Sequence, residues 1–96
     1  MVITVEEAVE KINFRGPALV NQVYVEKQPM QVRMYGDWGQ PIHAQLYSDV
    51  LTLWTCEDRT ECPGNGQMDI PLYQIDLVEY DGDPTTNDIW VTITLK

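Results

Sequence analysis

The stretch Thr4-Val5-Glu6-Glu7-Ala8-Val9-Glu10-Lys11-Ile12 decides how the rest of the chain is read. Thr4 and Glu7 have the T-x-x-E spacing of a capping box, in which each side chain satisfies a backbone N–H left open at a helix start. Val5, Ala8, Val9 and Ile12 fall at i, i+3, i+4 and i+7, one apolar helical stripe. Glu6, Glu10 and Lys11 occupy the other side, with Glu6 and Glu7 near the positive end of the helix dipole. Gly16 and Pro17 supply the stop. A helix near residues 5–14 is predicted.

After Pro17 the apolar period changes from helical to two. Leu19, Val23 and Val25 share one parity of a strand near 18–26, interrupted by Asn21, while Val20 and Tyr24 take the other. A bulge, or a strand covered on both faces, accounts for that mixture. Lys27-Gln28-Pro29 makes a tight connection to a strand near 30–35, where Met30, Val32 and Met34 alternate with Gln31, Arg33 and Tyr35 in a half-buried pattern. Gly36 to Pro41 reads as a turn or short loop.

Ile42, Ala44 and Leu46 alternate with His43, Gln45 and Tyr47 until the parity slips at Ser48-Asp49 and Leu51 and Leu53 take over. One long strand near 42–55, bent at a bulge, is the expectation, with two strands as the alternative. Residues 57–69 are polar around Pro63-Gly64-Asn65-Gly66 and read as an exposed loop. Tyr73, Ile75 and Leu77 mark a strand near 71–80. A loop over 81–88 and a strand near 88–95, carrying Ile89, Val91, Ile93 and Leu95, complete the chain.

The expected fold is α+β, mainly β: one N-terminal helix followed by a five-stranded antiparallel curved sheet or small open barrel. Short connections imply antiparallel neighbours, and the 96 residues suffice for one domain spanning 1–96. The order of elements resembles that of Sm-like and other SH3-type barrels. The likeness carries no family motif and no residue roles, and the basic residues of RNA binding are absent.

Six Lys+Arg against fifteen Asp+Glu give 6 − 15 = −9. Residues 1–48 hold five acids and four bases, a net of −1, and residues 49–96 hold ten acids and two bases, a net of −8. Direct binding to nucleic-acid phosphates needs clustered cations and is disfavoured, as is an anionic membrane surface. A basic protein partner would be attracted. No apolar run reaches the roughly 20 residues of a membrane span, and the N-terminus lacks signal-peptide character, so the cytoplasm is the expected compartment.

Cys56 and Cys62 lack zinc-site spacing, and in a reducing compartment free thiols are expected over a disulfide. His43 would join them only with an unsignalled fourth ligand, so no metal and no cofactor are expected. The loop Asp81 to Asp88 is rich in carboxylates but fails the register of a calcium loop, with Thr86 where glycine is needed and Thr92 where glutamate is needed. No catalytic motif is present. The pair Cys56 and His43 would support nucleophilic chemistry only if the fold joined them, and a non-enzymatic role is expected.

The candidate site lies on the strand faces opposite the aliphatic ones. Arg33 and Tyr35, then His43 and Tyr47, then Trp90 would make one aromatic patch if their strands aligned, with Trp38 extending it from its turn. Tyr, Trp and Arg are the residues that concentrate binding energy, because they bury much surface and keep a polar handle. The first reading is an interaction module that self-associates, a dimer favoured, through this aromatic face. A second is a small-ligand pocket lined by Arg33, Tyr35, Trp38, Tyr47 and Trp90. A third is an acidic inhibitor or nucleic-acid mimic in which Glu57, Asp58, Glu61, Asp69, Asp81, Asp83 and Asp88 imitate phosphates for a basic protein.

Overall fold

Two sheets, not one, receive the strands. The computed structural model describes residues 1–55, 67–83 and 85–96. Helix α1 spans Val5–Asn13, followed by β1 Gln22–Lys27, β2 Met30–Tyr35, β3 His43–Tyr47, β4 Val50–Trp54, β5 Gln67–Pro71, a short 3-10 turn Leu72–Gln74, β6 Ile75–Asp83 and β7 Asp88–Leu95. A four-stranded sheet has the order β2-β1-β7-β6, and a three-stranded sheet the order β3-β4-β5. The class is α+β, mainly β, as expected, but a single five-stranded sheet is not what forms.

The helix follows its sequence closely. The Thr4 hydroxyl accepts from the Glu7 N–H and the Glu7 carboxylate accepts from the Thr4 N–H, both at 3.0 Å. Ala8 and Ile12 are wholly buried, with Val5 and Val9 partly so. Full burial of a side chain like Ile12 contributes about 1.5–3 kcal/mol.

The additional strands have local causes. The parity slip at Ser48-Asp49 is a hairpin and not a bulge: Ser48 adopts a left-handed φ of 56°, and Tyr47 pairs with Val50. Turning the chain through two residues exchanges parity, so Ala44 and Leu46 share a face with Leu53 and Leu51. The other addition is β5, which lies partly in the expected loop. Its Met68 and Ile70 stand opposite Leu53 and Leu51, two apolar positions too few to stand out among Gln67, Asp69 and Pro71. At the far end, residues 81–83 belong to β6 and not to a loop.

A further correction concerns strand direction. β1 and β7 run parallel, with Val23 beside Val91 and Val25 beside Ile93. The crossover that a parallel pair requires is here the whole chain between β1 and β7. β1 also begins at Gln22, later than expected, because Asn21 acts as a clamp. Its main chain bonds Ile89 O and Gly36 N–H, each at 3.0 Å, and its side-chain oxygen accepts from Ile89 N–H at 3.2 Å.

One core joins the two sheets. Val23, Val25, Val78, Val91 and Ile93 face it from the four-stranded sheet, and Ala44, Leu51, Leu53 and Ile70 from the three-stranded one. Helix α1 packs against β3 and β6, closing one side of this sandwich. The opposite side lies between β2 and β5. There the expected half-burial of β2 fails, with Met30 71% and Val32 46% exposed. On an edge strand an alternating pattern does not ensure burial.

Candidate binding surface

On the outer face of the four-stranded sheet, register builds rows across the strands. Tyr35, Gln22, Trp90 and Asp81 form one row, and Arg33, Tyr24, Thr92 and Glu79 the next. The same pleat that sends Val23, Val25, Val91 and Ile93 inward turns these residues outward. Arg33 lies over the Tyr35 ring, 4.4 Å from its centroid, and 5.7 Å from that of Tyr24. The neighbouring Tyr24 side chain, with a smaller contribution from Tyr35, holds the Arg33 guanidinium above its ordinary range. The Tyr24 hydroxyl in turn donates to Gln22 Oε1. An adjoining groove of about 460 Å³ is lined by Gln22, Tyr24, Glu26, Gln31, Asp88, Trp90 and Thr92.

Three of the six expected site residues therefore share this face: Arg33, Tyr35 and Trp90. Trp38 does not lie on a strand. It is 64% exposed in the turn after β2, where the Asp37 carboxylate accepts from the N–H groups of Gly39 at 2.9 Å and Gln40 at 2.8 Å. That loop borders a separate depression of about 370 Å³, also lined by Leu19, Asn21 and Asn87. His43 and Tyr47 belong to the other sheet. The His43 ring stacks on Trp54 at 5.3 Å with an interplanar angle of 12°, its Nδ1 lies 3.2 Å from Arg15 Nη2, and the Tyr47 hydroxyl donates to Gln45 Oε1 at 2.8 Å. One patch spanning Tyr35, Tyr47 and Trp90 is thus ruled out by sheet membership. Sequence reasoning missed Tyr24 as a member, although its parity, opposite Val23 and Val25, placed it on this face.

The acidic candidates divide as well. Asp81, Asp83 and Asp88 gather where β6 meets β7, with Asp83 paired to Asp88. Asp83 receives bonds from Thr85 N–H at 3.0 Å and Thr85 Oγ1 at 2.6 Å, and these bonds, the hydroxyl's first, lower its pKa. Asp69 stands on β5, accepting from the Thr52 hydroxyl at 2.7 Å. Cys56, Glu57, Asp58, Glu61 and Cys62 lie outside the described residues. Among the described residues no group of three His, Cys, Asp or Glu side chains is arranged to hold a metal ion, and no helix is long and apolar enough to cross a membrane.

Compared with known proteins, the chain matches no family model, no curated protein and no solved structure.

Proposed function

We propose that the chain is a small protein-interaction module that self-associates as a dimer through the Tyr24–Arg33–Tyr35 side of its aromatic sheet. The observation that carries this reading is where the rings and the guanidinium sit. On a chain of net charge −9, Tyr24, Arg33 and Tyr35 gather on β1 and β2, whose one acid is Glu26, while Glu79, Asp81, Asp83 and Asp88 occupy the far side of the same sheet. Like-charged copies approach most easily through the side that carries least of their shared charge. Exposed Tyr and Arg there offer area and polar handles together.

Sedimentation across micromolar to millimolar concentration tests it. A dimer is expected for the natural chain, and Arg33→Glu and Tyr35→Glu should each shift it to monomer. Tyr73→Glu, at a residue 70% exposed outside the strands of this face, should leave it unchanged. A natural chain that stays monomeric throughout overturns the reading.

The groove beside the patch supports a second reading, binding of a small polar ligand against Trp90 and Tyr24. Of the pocket residues expected from sequence, Trp90 alone lines that groove. Chemical-shift changes confined to Gln22, Tyr24, Trp90 and Thr92 on adding a panel of small polar metabolites would be its sign.

A further inference from the structure

Among the described residues the two sheets present four edges, and these are not equally protected. The β6 edge is covered by the N-terminal residues, with Ile3 N–H on Val78 O at 3.0 Å and Tyr80 N–H on Met1 O at 2.8 Å. The β3 edge is capped at its start by side chains at and just beyond the end of α1. Asn13 bonds both main-chain groups of Ala44, and Arg15 donates to Ile42 O at 2.8 Å. β5 carries an acid, Asp69, and a proline, Pro71, two common guards against strand pairing. β2 has neither. Its one charge, Arg33, is folded back over the tyrosine rings instead of standing along the edge.

The hydrogen-bonding groups of that edge follow from the hairpin. The two-residue connection Gln28-Pro29 makes Lys27 and Met30 the closing bonded pair. Alternation then bonds Val25 with Val32 and Val23 with Met34, and the Gly36 N–H on Asn21 O at 3.0 Å continues the same register. The N–H and C=O groups of Gln31, Arg33 and Tyr35 are left pointing away from the sheet. Beneath the edge lies an apolar groove of about 380 Å³, lined by Val25, Met30, Val32, Met68 and Leu95 with Lys27 and Gln28 at its margin.

We infer that β2 is a strand-pairing edge whose occupant is β2 of a second copy, running antiparallel and joining the two four-stranded sheets into one. This rests on the self-association proposed above and specifies how it occurs. A two-fold axis at Val32 sets Val32 against Val32 of the second copy and Met30 against its Met34. Gln31 then exchanges main-chain bonds with Arg33 of the second copy, and Arg33 with its Gln31. The register shifted to centre on Arg33 would oppose two guanidinium groups, so the Val32-centred pairing is preferred. It is self-complementary, as a two-fold interface must be. It brings no carboxylate into the shared strand pair, covers the exposed Met30 and Val32, and lays the two aromatic faces side by side.

The test exploits the fact that Val32 points to the side opposite Arg33 and Tyr35. Val32→Lys puts two ammonium groups together at the axis while leaving the aromatic face intact, and it is expected to abolish the dimer in sedimentation. Its circular dichroism should match that of the natural chain, because Val32 is already 46% exposed. Independently of any variant, hydrogen exchange of the Gln31 and Arg33 amides should slow by about tenfold or more from dilute to concentrated natural protein. A dimer that survives Val32→Lys without slowed edge amides overturns the strand pairing but leaves self-association standing. Slow edge amides in a monomer overturn it too, assigning the edge to a segment of the same chain. A monomer with fast edge amides overturns both readings and leaves β2 for an extended segment of a different protein.

Discussion

The side-chain amide of Asn13 behaves as one more strand residue beside Ala44, donating from Nδ2 to the Ala44 carbonyl at 2.8 Å and accepting from the Ala44 N–H at 2.9 Å. The last residue of the helix thereby closes the ladder of an edge strand it does not belong to. Both groups it satisfies are part-buried, where an unpaired N–H or C=O is costly.

Asn13→Ala leaves the two main-chain groups of Ala44 without this partner and should cost about 1–3 kcal/mol in urea denaturation. Asn13→Asp keeps the acceptor but loses the donor, setting a carboxylate against the Ala44 carbonyl. It should be at least as damaging at neutral pH. A stability within error of the natural chain for Asn13→Ala would show that water replaces the amide without penalty.

Asn21 ties the start of β1 to the start of β7, since its side chain reaches Asn87 O and the Asp88 carboxylate, both at 3.3 Å, as well as Ile89 N–H. Asn21→Ala retains the main-chain bonds and removes the side-chain ones. Hydrogen exchange at Ile89 should therefore quicken more than at Val91 or Ile93, which are fully buried mid-strand. Uniform quickening along β7 would mean global destabilisation instead of a loosened clamp.

Gly36 sits where the chain leaves β2, and a Cβ placed there would lie 2.7 Å from both the main-chain nitrogen and Cγ1 of Ile42. A main-chain atom does not yield as a flexible side chain does. Gly36→Ala should cost about 1–3 kcal/mol, read as a lowered denaturation midpoint with an unchanged slope. An unaltered midpoint would show that the 36–41 turn shifts freely.

The Asp83 carboxylate is held below its ordinary pKa by Thr85, first through the hydroxyl and then through the N–H. A folded pKa below the unfolded one means that the turn contributes stability above the ordinary carboxylate range and loses it as pH falls through the folded value. Thr85→Val removes the hydroxyl, so a carboxyl NMR titration should find the Asp83 pKa raised towards its ordinary value. The acid limb of the stability curve should become shallower. No movement of the Asp83 titration would contradict the role given to the hydroxyl.

Legibility from sequence followed the range of the interactions involved. The capping box and stripe of α1 were readable because every partner lies within one or two turns. β7 was readable because Val91 and Ile93 keep strict alternation in the middle of a sheet. β5 was not, since Met68 and Ile70 acquire meaning only opposite Leu53 and Leu51. β2 was read as a strand with the right parity and the wrong burial, because alternation reports which face a side chain takes and not whether another sheet covers it. The same limit applies at the candidate surface: parity sets Arg33, Tyr35 and Trp90 opposite their aliphatic neighbours, but it does not report that His43 and Tyr47 lie on the other sheet.

By itself the sequence determined the helix, the parity of Arg33, Tyr35 and Trp90 opposite the aliphatic positions of their strands, and the concentration of acid in residues 49–96. Tertiary structure alone decided that β1 and β7 lie side by side in parallel, that the strands divide into two sheets, and that β2 is an edge left unpaired among the described residues. The reason is physical. Parity and capping are set within a few residues by the pleat and by hydrogen-bond geometry, whereas strand neighbours are chosen by which pairing lets both sheets and the helix bury one shared core.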